Sequence, residues 1–125
     1  MILEAPIVPV AKPRMTQRDK WRSRDVVVRY RCFCDAARLY ANQQNFVLSP
    51  GMYYRFWIPV PKSWSKKKKL KMEGTPHRQK PDLDNYIKAV WDALCREDSH
   101  IWSIGSAEKR WSKLGFIQIW SEHDY

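Results

Sequence analysis

Between Met52 and Val60 the chain alternates: Met52, Tyr54, Phe56, Ile58 and Val60 fall on one side, and Tyr53, Arg55, Trp57 and Pro59 on the other. A period of two predicts a half-buried strand, and Ser49-Pro50-Gly51 just before it supplies a turn. Two other stretches repeat at three and four. Val26, Val27, Tyr30, Cys34, Ala37 and Ala41 predict a helix opened by Ser23 or Asp25 and running to about Ala41. Leu83, Ile87, Val90, Trp91 and Leu94 predict a second, beginning near Asp82 or Leu83 and ending around Leu94. On that helix Asp84, Lys88 and Asp92 lie along another face at i, i+4 and i+8. Ile2 to Val10 is apolar and β-branched, but Pro6 and Pro9 restrict it to an edge strand. His100 to Gly105 and Gly115 to Ser121 predict two closing strands, with Glu108 to Lys113 between them. Lys12 to Arg24 and Lys62 to Lys80 predict polar, irregular segments. The order β-α-β-α-β-β implies one small domain over residues 1–125, of mixed α/β (α+β) class, with a mixed sheet packed by two helices.

Charge changes the picture. The chain carries 23 Lys and Arg against 13 Asp and Glu, a net charge of +10, which suits a partner with a phosphate backbone. No apolar run approaches the roughly 18 residues of a membrane span, so no membrane partner is expected. The first ten residues lack the charged start and cleavage site of a signal peptide. Three cysteines, Cys32, Cys34 and Cys95, match neither a redox pair nor a zinc spacing. Reduced, buried, structural thiols in a cytoplasm are the expectation.

Against that basic background, the acids of Lys80-Pro81-Asp82-Leu83-Asp84-Asn85 and of Glu97-Asp98 stand out. Hard oxygen ligands suit Mg²⁺ or Mn²⁺, and Mg²⁺ sites often combine one or two carboxylates with water and substrate phosphate. The plainer reading of Asp82 and Asp84 is capping of a helix N-terminus. Lys88 reads as a surface partner of Asp84 or as a phosphate-holding lysine, and Asp92 as a solvated residue bridged to Lys88. A helix over residues 83–94 is roughly 16–18 Å long. The few residues after it span roughly 10 Å, too short to return Asp98 all the way to Asp82. A tight loop, an earlier unwinding or a partner subunit's acid would each answer this.

The run from Lys80 through Asp82, Asp84, Asn85, Lys88, Asp92 and Leu94, then Glu97-Asp98, closely resembles the core motif of the RusA family of Holliday-junction resolvases, found in phages, prophages and bacteria. Lys12-Pro13-Arg14-Met15-Thr16, the basic segment leading to His77, and Lys109 with Trp111 extend the resemblance over most of the chain. It implies that Asp82, Asp84 and Asp98 are metal-binding acids and that Lys88 is a catalytic lysine. It also implies Mg²⁺, with Mn²⁺ substituting, and a symmetric homodimer nicking two opposed strands of branched DNA. The chain departs from the family in its short Cys95-Arg96 connection and in Glu97-Asp98 where two aspartates are usual.

For DNA contact the expected residues are Lys12, Arg14, Arg18, Lys66, Lys67, Lys68, Lys69, Lys80 and Lys109, with Lys20, Arg22 and Arg24 enlarging the first cluster. Trp21 and Trp64, set among basic residues, are candidates to stack on an unpaired base, and the other five tryptophans to pack in a core or interface. His77 is read as structural. The expected activity is junction-resolving endonuclease in recombination, repair or phage DNA processing, in a cytoplasm (the bacterial host's if phage-encoded). The rivals are a nuclease for flaps or forks and a non-catalytic branched-DNA-binding or packaging-accessory protein.

Overall fold

The computed structural model describes residues 1–14 and 25–122. The expectations for Ser23 as a helix cap, for Arg18, Lys20, Arg22 and Arg24 as DNA contacts and for Trp21 as a stacking residue lie outside the described residues.

The elements in chain order are β1 (Ile2–Ala5), α1 (Asp25–Gln43), β2 (Tyr53–Pro59), α2 (Lys66–Met72), α3 (Leu83–Leu94), a 3₁₀ turn (Asp98–His100), β3 (Ser106–Ser112) and β4 (Phe116–Trp120). They make a small mixed α+β fold with one four-stranded sheet in the order β1-β4-β2-β3. β4 runs antiparallel to both β1 and β2, while β2 and β3 are parallel. Parallel neighbours need a long crossover, and α2 and α3 lie on it. That topology places the acidic motif in the crossover.

Alternation along the strands decides the layers. Tyr54 and Phe56 of β2, Leu3 of β1, and Ile117 and Ile119 of β4 are buried with Tyr30, Phe33 and Ala37 of α1 and Tyr86, Ala89 and Val90 of α3. Shifting β2 by one residue would exchange that set for Tyr53, Arg55 and Trp57. Those residues face away, where Tyr53 stacks on Trp120 and Trp57 on Phe116 across the β2–β4 register. Arg55 lies over Trp57 and Trp120 and pairs with Glu108. The inward face of this segment, with Met52, Tyr54 and Phe56 buried, is therefore packed against the chain's own helices.

Three expectations need correction. The segment from Lys62 to Lys80 contains α2, capped by Ser65, whose Oγ accepts from the Lys68 N–H at 3.2 Å. Lysine is a good helix former, but the run has no apolar face, so periodicity could not reveal it; none of its residues is buried. The first closing strand is Ser106–Ser112, not His100 to Gly105, so Glu108 to Ser112 are strand rather than connection. Its inner positions include Lys109 and its outer ones Glu108 and Arg110, which hides the usual alternation. Finally, Cys32 is exposed, whereas Cys34 is buried and Cys95 half-buried; all three are free.

Candidate active site

The acidic motif enters α3 through Asp82, which occupies the N-cap with extended backbone (φ −67°, ψ 151°). Its carbonyl accepts from the Asn85 N–H at 3.1 Å, yet its side chain makes no capping hydrogen bond. The simple capping explanation thus fails where it was most expected: the Asp82 carboxylate is exposed and not used to cap the helix. Asp84, in the first turn, does pair with Lys88 at 3.3 Å, as its i, i+4 spacing predicts.

Asp98 comes back towards this helix. After Leu94, Cys95 turns extended while its N–H still bonds the Trp91 carbonyl at 2.8 Å. The 3₁₀ turn then starts at Asp98 itself. The outcome is a cavity of about 680 Å³ lined by Lys12, Pro13, Arg14, Asn85, Lys88, Trp91 and Asp98. Asp98 therefore lines a cavity with Asn85 and Lys88, whereas Asp82 and Asp84, the two acids it was expected to join, are not among the residues lining it. Among the described residues, no three His, Cys, Asp or Glu side chains come together as a group able to hold a metal ion. The donors present, exposed carboxylates with no soft ligand among them, are of the chemistry that suits a hard divalent cation.

The N-terminal segment forms the opposite wall. The Lys12 N–H donates to the Asn85 carbonyl at 2.9 Å, and the Lys12 ammonium meets Asp92 at 2.9 Å. Asp92 also accepts a hydrogen bond from the Tyr30 hydroxyl at 2.5 Å. The expected Lys88–Asp92 bridge is replaced by a Tyr30–Asp92–Lys12 chain that joins α1, α3 and the N-terminal segment. Burial, and then Asp92 as acceptor, push the Tyr30 phenol far above its usual range. Tyr30 reads in sequence as one more core position, and its hydroxyl's partner lies 62 residues away, so nothing local marks it.

The other sequence candidates are not among the residues lining this cavity. Lys66, Lys67 and Lys68 are exposed on α2, Lys69 is half-buried, and Lys80 is exposed just before the acids. Trp64 does not offer a free ring face: it packs on Trp111 at 4.8 Å and carries Lys68 over it at 4.3 Å. His77 is buried against Trp111, as a structural histidine would be, and burial, reinforced by Lys109, lowers its pKa. Lys109 donates to the carbonyls of Gln79 at 2.5 Å and Pro81 at 2.6 Å. Burial lowers its pKa, with Asp82 opposing. Trp102, expected to pack in a core or an interface, is not in the core of the chain: it is 82% exposed, four residues beyond Asp98.

The family model for endodeoxyribonuclease RusA matches residues 5–117. The chain belongs to the RusA family. No curated protein matches it significantly. RusA membership makes the chain an endodeoxyribonuclease of a family that acts on Holliday junctions in DNA recombination and is generally dependent on divalent metal. The matched span takes in every RusA candidate residue named above, from Lys12 to Lys109. No helix among the described residues is long and apolar enough to cross a membrane.

Proposed function

We propose that this RusA-family chain resolves four-way DNA junctions as a homodimer, each subunit hydrolysing one strand with Mg²⁺, for which Mn²⁺ would substitute. The observation that carries the reading is the cavity lined by Asp98, Asn85 and Lys88 together with Lys12 and Arg14. Polyanion-holding cations and a cation-holding acid line one space, which is what phosphodiester hydrolysis needs.

In this reading Asp82, Asp84 and Asp98 would hold the metal, which when bound supplies positive charge that acidifies water and offsets charge developing on the phosphate. Lys12 and Arg14 seat the DNA backbone. Lys88 offsets charge on a non-bridging oxygen as water attacks phosphorus and the bond to the leaving 3′ oxygen breaks. Lys88, which lines the cavity, also pairs with Asp84 at 3.3 Å. Lys66 to Lys69 on α2 would follow the arms of the junction as a solvated cationic surface. The process served would be recombination, repair or phage DNA processing in a cytoplasm.

The test is a nicking assay on a synthetic immobile four-way junction, with linear duplex and flap controls, in EDTA, Mg²⁺ and Mn²⁺. Symmetric metal-dependent nicks on the junction, lost in Asp82→Asn while junction binding holds or tightens, are expected. Equal cleavage by Asp82→Asn would refute the site. Binding without cleavage under every metal condition would favour the architectural DNA-binding role.

A further inference from the structure

We infer that Lys109 is a positioning residue: its ammonium clamps the Gln79 and Pro81 carbonyls and so fixes the loop from which Asp82 projects. The inference rests on the reading of Asp82 as a metal-binding acid. Lys109 belongs by sequence to the basic residues expected to touch DNA, but its surroundings point elsewhere.

It sits on the helix side of the sheet, between half-buried Ala107 and buried Trp111, not on the outer face with Glu108 and Arg110. An ammonium has three N–H donors. Two are committed to carbonyls two residues apart, at 2.5 and 2.6 Å, and a donor that carries charge makes each such bond stronger than a neutral one. The backbone around Lys109 shows why such a clamp is needed. The edge of β3 is joined to the incoming chain by Gly74 N–H to Trp111 carbonyl, Trp111 N–H to Thr75 carbonyl, and His77 N–H to Lys109 carbonyl, at 2.8 to 3.0 Å. That backbone attachment ends at His77. The Lys109 side chain continues it across Gln79 and Pro81, up to the residue before Asp82. Removing the ammonium would leave two carbonyls without these donors and free the approach to the N-cap.

A carboxylate that binds metal must be held where the ion needs it, and displacement by about 1 Å can cost about 100-fold in rate. The clamp therefore acts on turnover through Asp82 and not on DNA affinity. A phosphate-binding lysine would do the reverse.

The experiment uses the full chain with Lys109→Met, which keeps the stem and removes charge and donors. Hydrogen–deuterium exchange is read by mass spectrometry, and junction binding is measured in EDTA across a salt series. Single-turnover cleavage is measured across a Mg²⁺ titration. Expected are exchange about tenfold faster in peptides covering 77–87 with α1 unchanged, an unaltered log K against log salt slope, cleavage about 100-fold slower, and a higher half-saturating Mg²⁺. A slope reduced by about 0.9, as when one phosphate fewer is neutralised, with loop exchange unchanged, would overturn the clamp, as would wild-type cleavage. Should Lys109→Met not fold, Lys109→Gln retains N–H donors without charge. It should lie between wild type and full loop opening in exchange, with the wild-type salt slope; a slope reduced by about 0.9 would again overturn the clamp. If the wild type itself fails to cleave, the nuclease reading falls, and the exchange data still decide whether Lys109 holds the loop.

Discussion

Replacing Tyr30 with Phe deletes one oxygen from a buried side chain, and the geometry predicts a cost larger than that of an ordinary tyrosine hydroxyl. The hydrogen bond removed is 2.5 Å long and its acceptor is a carboxylate, and hydrogen bonds to charged groups contribute about 1.5–3 kcal/mol. Asp92 remains 29% exposed and keeps Lys12 at 2.9 Å, so the low end applies, about 1.5 kcal/mol. For a chain of this length that corresponds to a fall in Tm of roughly 5–8 °C. The Lys12–Asp92 pair, about one-third exposed on each side, adds less than about 1 kcal/mol. Urea denaturation of wild type, Tyr30→Phe, Asp92→Asn and the double variant would give a coupling of about 1 kcal/mol. Tyr30→Phe within about 0.5 kcal/mol of wild type, with no coupling, would refute the reasoning. The same bond has a signature in alkali. Burial raises the phenols of Tyr30, Tyr54 and Tyr86. A raised phenol holds its proton more tightly folded than unfolded, so its contribution is intact below about pH 10 and lost as pH climbs through the folded value. Tyr30→Phe should flatten that alkaline loss.

Two further outcomes are expected. Neutralising Lys66, Lys67, Lys68 and Lys69 should weaken junction binding and reduce the salt slope by about 0.9 for each phosphate that these lysines neutralise in the wild type; an unchanged slope would mean that α2 does not touch DNA. His77, whose pKa burial and Lys109 lower, is stabilising when neutral. Its contribution is complete above about pH 6.5 and is lost as pH falls through the depressed folded value. Chemical denaturation of His77→Phe between pH 7 and 5 should therefore show a shallower pH dependence than wild type, and parallel curves would exclude His77 as the source.

Much of the fold is legible locally because local forces write it. The alternation of Tyr53 to Pro59 and the stripe of Leu83 to Leu94 carry their periods in the residues themselves, and both elements occur where those periods place them. The acidic motif is likewise local, since Pro81 and Asp82 mark a helix start within a few residues. What failed locally failed for a physical reason. α2 has no apolar face to announce it, and β3 places Lys109 inward because its charge is met by two backbone carbonyls.

The amino-acid order alone determined the class of the fold, the family resemblance and the candidate acids, because each depends on neighbours a few positions apart. Tertiary structure decided which side chains share a space. Asp92 turns to Tyr30 and Lys12 because α1 and the N-terminal segment converge on it, and Lys109 faces the Asp82 loop because β3 runs parallel to β2. Most of those partners are separated by tens of residues, and only packing a common core brings them within hydrogen-bond reach.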